Sequence, residues 1–106
     1  MMAEKYAFKM KLKPGMKAEY RKRHDEIWPE LVAALKAAGV IDYRIWLDEP
    51  THLLFAVLTR RADHTMDALP DLPVMRRWWA MMADIMDAGD DHAPDTVELA
   101  EVFRLD

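Results

Sequence analysis

His24 is an ionisable side chain that lies among apolar residues at helical spacing. At about 100° per residue, Tyr20 lies one turn before it and Trp28 one turn after it, on the same face of the predicted helix. A hydroxyl, an imidazole and an indole on one face are typical of a small pocket with polar and aromatic walls. The ordinary pKa of histidine, about 6.5, suits proton transfer near neutral pH. The alternative is a hydrogen-bonded core histidine, which is the more frequent role of a lone histidine on an apolar face.

Three more aromatic residues could contact a ligand. Trp78 and Trp79 are adjacent on a predicted helix, so one can face the core while the other lines a pocket. Indole faces stack on the C–H faces of sugars, and the indole N–H can bind a hydroxyl. Core packing of both tryptophans is equally compatible with the spacing. Tyr43 lies on a predicted strand, where the spacing alone favours a tyrosine that reaches solvent at the rim.

The remaining charged residues carry no recognised site pattern. The basic run at positions 21–23 is predicted to be a solvated helix face rather than an anion site. His52, His64 and His92 fall in or near predicted loops, and none is paired at a metal-ligand spacing, so no metal site is expected. A glycine-rich phosphate loop and a dinucleotide fingerprint are both missing from the sequence, and we expect no cofactor.

Composition narrows the class of protein. With 106 residues, 52% of them hydrophobic and 32% charged, the chain is expected to be one globular domain over residues 1–106. It has no cysteine, which excludes disulfides, thiolate nucleophiles and cysteine metal sites. The net charge of −4 argues weakly against nucleic acid or a membrane surface as partner. Without a membrane-length apolar run or a signal-peptide pattern, we expect a cytoplasmic protein.

Hydrophobic periodicity predicts the order β-α-β-β-α-β, which is the ferredoxin-like α+β pattern. Pro29 predicts a break near Trp28 in the first helix, and Gly39 is a natural residue to end it. Asp71 is expected to be the N-cap of a helix that restarts at Pro73. The predicted strands cover positions 6–12, 41–47, 53–58 and 97–105, and the helical regions cover 16–38 and about 63–86.

The predicted sheet has apolar residues on both faces. Two helices can cover one face, yet the run at positions 53–58 is apolar without a break, and Trp46 lies opposite Tyr43 on its strand. An exposed apolar sheet face needs a cover. We therefore expect a homodimer in which two sheets pack face to face. The alternative is that the C-terminal strand or the long loop covers this face within one chain.

Several motifs together resemble a known family. The segments are, in chain order, Tyr20-x-x-Arg23-His24-x-x-Ile27-Trp28-Pro29-Glu30-Leu31, Tyr43-x-Ile45-x-Leu47-Asp48, Leu53-Leu54-Phe55-Ala56, Arg77-Trp78-Trp79-x-x-Met82-x-Asp84-Ile85-Met86 and Glu98-Leu99-x-Glu101-Val102-Phe103. They cover nearly the whole chain, and the first and fourth are the most specific. In this combination they resemble the L-rhamnose mutarotase family.

The resemblance implies a fold, an activity and a site. It implies a dimeric α/β-barrel of ferredoxin-like subunits, an isomerase that interconverts the α and β anomers of L-rhamnose. It implies that His24 is the proton donor and that Tyr20, Tyr43, Trp78 and Trp79 contact the sugar. No nucleic acid, membrane, metal or cofactor is implied.

Two other functions remain open from the residues alone. One is a cofactor-free monooxygenase-like enzyme for small hydrophobic substrates, because that fold recurs with such substrates. The other is a dimeric binding module without activity, in which His24 is a core residue. Fold alone does not separate the three functions. The joint pattern of the histidine, both tyrosines and both tryptophans favours the mutarotase.

Overall fold

The structure, a computed structural model, describes residues 2–106. The strands are β1 (Ala3–Lys11), β2 (Val40–Asp48), β3 (Leu53–Arg61) and β4 (Val97–Glu98). The helices are α1 (Lys17–Asp25), α2 (Pro29–Ala37) and α3 (Pro73–Met82), with a 3₁₀ helix at Met66–Asp71. All neighbouring strands are antiparallel, in the order β2-β3-β1-β4. With α1 and α2 taken as one helical unit, this is the predicted ferredoxin-like arrangement.

The core lies between the helices and one face of the sheet. Phe8 and Met10 of β1 are buried and pair with Ala56 and Leu54 of β3, so the predicted alternation is present in the sheet. The helical half of the core consists of Leu31, Ala38, Leu69, Val74, Met75, Trp78, Met82, Ile85 and Met86. Among residues 2–106, no helix has the length and apolar character needed to cross a membrane.

The first helical region is broken at the predicted place. Trp28 has an extended backbone (ψ 132°) and precedes α2, which begins at Pro29. Proline is favoured in the first turn because it has no N–H to leave unpaired there. Gly39 follows the C-cap residue of α2 and has a φ of 110°, as expected for a residue that ends a helix. The break separates α1 from α2 and lets each pack at its own angle.

The predicted N-cap of α3 is wrong. Asp71 ends the 3₁₀ helix, and Leu72 occupies the N-cap position without a side-chain hydrogen bond. The cause is Pro73, which disfavours helical backbone in the residue before it and so leaves Leu72 extended. The N-caps of α1 and α2 also lack side-chain hydrogen bonds. None of these three helices is therefore capped by a polar side chain.

Two predicted elements are shorter than their periodicity suggests. The second helical region is predicted to reach position 86, but the helix ends at Met82. Ile85 and Met86 are buried in a segment that pairs antiparallel with the chain at the end of β1, through a bridge between Leu12 and Met86. The last strand is predicted over 97–105, but β4 contains only Val97–Glu98. Beyond it the apolar side chains are exposed: Val102 by 93%, Phe103 by 78% and Leu105 by 85%. The alternation of this tail has no apolar surface to meet within the chain.

The second face of the sheet carries apolar residues, and no helix of the described part of the chain packs on it. Trp46 pairs with Phe55, and Ala7 pairs with Val57, so these side chains share the face opposite the buried Ala56. Trp46 is 56% exposed. We call Trp46, Phe55 and Val57 the outer patch. The alternative is that the C-terminal strand or the long loop covers this face. Within residues 2–106, no such cover is observed.

Candidate active site

Four aromatic rings from α1, α3 and the break before α2 form one cluster. The His24 imidazole lies 4.3 Å from the Tyr20 ring and 5.4 Å from the Trp78 ring, measured between ring centroids. Trp78 in turn contacts Trp28 edge to face at 5.2 Å. Tyr20 and His24 meet because residues four apart share a helix face. Tyr20 and His24 keep the predicted one-turn relation, but Trp28 does not, because α1 ends at Asp25 and Trp28 reaches Trp78 from the extended break before α2.

One nitrogen of His24 is already engaged. Nδ1 lies 3.0 Å from the backbone carbonyl oxygen of Tyr20. A carbonyl oxygen only accepts hydrogen bonds, so Nδ1 carries a proton and donates it to this oxygen. The hydrogen bond fixes the ring and leaves Nε2 as the nitrogen available to another molecule. In the neutral imidazole Nε2 is an acceptor, and in the charged imidazole it is a donor.

The surroundings of His24 disfavour its charged form. Burial lowers the pKa of the imidazole below its ordinary value, and the Tyr20 carbonyl and the Asp25 carboxylate only partly offset this. Tyr20 and Asp25 lie on its own helix, and from α3 the ring is met by uncharged Trp78. The neutral form therefore predominates at neutral pH, and the charged form gives up its proton more readily than an ordinary imidazolium does.

Three tyrosines, Tyr6, Tyr20 and Tyr43, line one cavity together with His24 and Trp78. Burial raises the pKa of Tyr20, with a contribution from Tyr43, and burial also raises the pKa of Tyr43, with a contribution from Tyr6. Although 37% of the surface of Tyr43 is accessible, its ring packs edge to face on Phe8. Tyr6 and Tyr43 are placed by the register, since both pair with Leu58. The phenols of Tyr20 and Tyr43 thus remain protonated and can donate hydrogen bonds.

One cavity of about 980 Å³ brings the predicted site residues together. It lies between the helices and the inner face of the sheet. Its lining includes all five of Tyr20, His24, Tyr43, Trp78 and Trp79. Trp78 is 6% exposed, and Trp79 is only partly buried, which matches the expectation that the two indoles have different surroundings. The cavity has the size and the mixed polar and aromatic lining of a small-molecule site.

Sequence patterns do not identify two residues near the cavity. Tyr6 also lines it, and its only signal is its place in the alternating pattern of β1. The prediction that Arg23 belongs to a solvated face is wrong, because only 18% of its side chain is exposed. Its guanidinium turns toward the end of α3, whereas Arg21 on the same helix is 82% exposed. Residues two positions apart on a helix differ by about 200°, so Arg21 and Arg23 face nearly opposite sides.

A metal centre has no support in the described part of the chain. Across residues 2–106, no group of three or more His, Cys, Asp or Glu side chains is arranged to hold a metal ion. His52 and His92, both with positive φ, lie in turns away from His24. His64 accepts a hydrogen bond from the backbone N–H of Met66. Of these four histidines, His24 is the one that lines the cavity.

Comparisons with known proteins identify the family. A family model described as L-rhamnose mutarotase matches residues 5–105. An L-rhamnose mutarotase from Mesorhizobium japonicum is 65% identical over 104 residues, covering 98% of this chain and 99% of that protein. A crystal structure of L-rhamnose mutarotase from Formosa agariphila superposes with a TM-score of 0.90 at 43% identity, covering 97% of this chain and 99% of that one.

More distant structures share the fold alone. A putative antibiotic biosynthesis monooxygenase from Chloroflexus aurantiacus superposes with a TM-score of 0.57 at 17% identity, covering 97% of this chain and 98% of that one. At this identity the likeness supports the ferredoxin-like α+β fold and carries no activity. The full-length matches at high identity confirm the resemblance found in the motifs, and the chain belongs to the L-rhamnose mutarotase family.

Proposed function

We propose that this protein is an isomerase that interconverts the α and β anomers of L-rhamnose. The observation that carries the proposal is the position of His24, whose Nδ1 is held by the Tyr20 carbonyl while the ring lines a cavity shared with Tyr43, Trp78 and Trp79. Family membership supports the choice of sugar.

The proposed reaction consists of proton transfers and one bond exchange. Ring opening breaks the bond between C1 and the ring oxygen, adds a proton to that oxygen and removes one from the C1 hydroxyl. The C1 aldehyde then rotates, and the reverse steps close the ring on its other face. We assign the ring-oxygen proton to His24, which donates it from Nε2 on opening and takes it back on closure. A positioned general acid contributes roughly 10²–10⁴-fold to such a step.

The raised pKa of Tyr20 narrows the choice of the group that removes the C1 proton. Tyr20 and an ordered water molecule are the two candidates. Because the pKa of Tyr20 is raised, its phenol holds its proton at neutral pH and is a poor base. We therefore assign the C1 proton to water and give the hydroxyls of Tyr20 and Tyr43 the role of donors to sugar oxygens.

The tryptophans fit the apolar part of a 6-deoxy sugar. L-Rhamnose carries a methyl group in place of the terminal hydroxymethyl group, so one end of the ring is apolar. Trp78 and Trp79 supply aromatic surface in the same cavity as His24. Aromatic faces pack against sugar C–H groups, and the indole N–H can bind a hydroxyl. We propose that these two residues set the orientation of the ring relative to Nε2 of His24.

Saturation-transfer NMR on the two L-rhamnose anomers tests the activity and the donor together. The wild-type protein is expected to exchange the anomers faster than the spontaneous reaction. His24→Asn removes the transferable proton and is expected to abolish the catalysed exchange while circular dichroism stays unchanged. His92→Asn is the matched control, because His92 is exposed and its φ of 67° suits asparagine.

The same measurement separates the alternatives. A cofactor-free monooxygenase would consume oxygen and leave anomer exchange at its spontaneous rate. A binding module would also show no enhancement, and His24→Asn would change only its stability. Wild-type exchange no faster than the spontaneous reaction would therefore reject the mutarotase. Full activity of His24→Asn would reject the donor assignment alone.

We further propose that the protein is a homodimer that packs the outer patch of one sheet against its partner. No segment among residues 2–106 covers the outer patch of Trp46, Phe55 and Val57. The tail after β4 leaves the sheet edge with Val102 and Phe103 exposed. Exposed apolar surface on this scale is typical of an interaction site. A second copy supplies both the apolar face and the tail in one symmetric contact.

A further inference from the structure

The helix that carries the proposed proton donor is held by few side-chain contacts, among them Tyr20 against the core and Lys17 with Glu49. α1 contains nine residues, none of them is buried, and its N-cap has no side-chain hydrogen bond. A helix of this length is unstable in water when it stands alone. Tyr20 and His24 both lie on it. Their positions in the cavity therefore depend on whatever ties α1 to the rest of the molecule.

Arg23 makes the polar contacts that tie α1 to the end of α3. Its Nη1 donates to the carbonyl oxygen of Met81 at 2.7 Å and to Asp84 Oδ1 at 2.8 Å. Its Nη2 donates to Asp84 Oδ2 at 3.3 Å, and its Nε donates to Glu19 Oε2 at 2.7 Å. Met81 lies in the last turn of α3, where carbonyl groups have no partner within the helix. Paired hydrogen bonds from a guanidinium fix direction as well as distance.

The charges strengthen this arrangement. Hydrogen bonds to Asp84 and Glu19 raise the pKa of Arg23, and the Arg23 guanidinium holds the pKa of Asp84 below its ordinary value. Only 18% of the Arg23 side chain is exposed, compared with 66% for Asp84. An ion pair between two exposed side chains contributes little. The Arg23 contacts differ because the arginine is mostly enclosed and also binds a helix carbonyl.

We propose that Arg23 is a positioning residue, which fixes α1 against α3 and thereby holds His24 in contact with Trp78. Arg23 and His24 are adjacent on α1, and both contact α3. Arg23 itself lies outside the cavity lining, so it acts on the sugar only through its neighbour. The proposal rests on the proposed function, in which the place of Nε2 decides the rate.

Three variants test the proposal by NMR exchange rates. Arg23→Ala is expected to lower kcat/KM about 10–100-fold, because a displacement of about 1 Å in a catalytic group can cost 10²-fold. Arg23→Lys is expected to recover part of this loss, since an ammonium group replaces only some of the guanidinium contacts. Lys22→Ala is the matched control: it removes the same charge from an exposed position on the same helix and is expected to stay within about twofold of wild type.

A second readout separates positioning from stability. If Arg23→Ala only lowers stability, activity falls by the same factor at every pH. If instead His24 is displaced, the pKa of His24 changes. In Arg23→Ala the His24 pKa, followed by NMR without sugar, is expected to rise toward about 6.5 as the ring gains water. Tyr20 and Asp25, which also act on the ring, are unchanged in this variant. Lys22→Ala shows how much of the rise comes from losing one positive charge.

The outcomes test the positioning role of Arg23 and the proposed function separately. Unchanged His24 titration in Arg23→Ala, with activity within about twofold of wild type or lowered equally at all pH values, overturns the positioning role. A raised His24 pKa combined with lost activity supports it. Wild-type protein without catalysed exchange rejects the proposed function, while the sugar-free titration still reports on the contact with α3. Should Arg23→Ala not fold, Asp84→Asn keeps the contacts to Met81 and Glu19 and is tested by the same two measurements.

Discussion

The imidazole of His24 can donate a proton only while it is charged, and its burial opposes that charge. Because its pKa is lowered below about 6.5, a minority of molecules carry the proton at pH 7. We therefore expect kcat/KM for anomer exchange to rise as the pH falls toward the His24 pKa and to level off below it. Exchange rates measured over about pH 5 to 8, with the spontaneous rate subtracted, test this. A rate that falls with falling pH would instead make neutral Nε2 the base at the C1 hydroxyl.

Residue types and helical spacing are sufficient to find the centre of the site. Tyr20 and His24 follow from one helical period, which is a local property of the chain, whereas Trp28 lies beyond the end of α1 and reaches the site from the break before α2. Such patterns do not indicate that Tyr6 and Arg23 lie near the site, and each case has a physical reason. The nearness of Tyr6 to Tyr43 depends on the register of three strands, which only the folded sheet sets. The enclosure of Arg23 depends on where α3 ends, which a run of basic residues does not indicate.

Among the elements, Gly39 is the position where backbone and packing both require glycine. Its φ is 110°, and a Cβ there would lie 2.9 Å from Cβ of His64. We expect Gly39→Ala to lower the free energy of unfolding by about 2–5 kcal/mol, from left-handed strain of about 1–2 and overpacking of about 1–3. Gly15→Ala is the control, because Gly15 has a φ of 80° but a Cβ added there would meet no atom within 4 Å.

Urea unfolding of both variants measures the difference. Gly15→Ala is expected to cost only the backbone strain, about 1–2 kcal/mol. Equal losses in the two variants would show that the contact with His64 is relieved by a small shift. This comparison tests the joint between α2 and β2, which fixes where β2 enters the sheet beside β3.

Proline and alternation make most elements predictable, and their ends are less so. Pro29 marks the break between α1 and α2 because its effect on the backbone is local. The prediction for Asp71 is wrong because Pro73 also constrains the residue between them, and that constraint outweighs the preference of aspartate for caps. The short β4 has another cause. The alternation at 97–105 indicates that these side chains pack on an apolar surface. β1 of the same chain does not supply this surface beyond Glu98, so β4 stays short.

For the whole molecule, the outer patch predicts that the protein has the mass of a dimer in solution. Phe55 lies at its centre, between Lys9 of β1 and Trp46 of β2. We expect wild type to sediment as two chains and Phe55→Glu as one, because the substitution removes the apolar contact of the phenyl ring, and burying a carboxylate costs its hydration even beside Lys9. Ala33→Glu adds the same charge to an exposed position on α2 and is expected to leave the dimer intact. Wild-type protein with the mass of one chain at micromolar concentration would contradict the sheet-face dimer.

The missing side-chain caps on α1, α2 and α3 have a consequence for how the protein folds. Uncapped helices of nine or ten residues gain little from their own hydrogen bonds, so each forms only when it docks on the sheet. Helical content and tertiary contacts are then lost in one cooperative transition. Chains emerging from the ribosome cannot complete this docking until β3 has been made, since β3 is the central strand between β1 and β2. The fold is therefore completed late in synthesis, and chains that end before β3 have no preformed cavity.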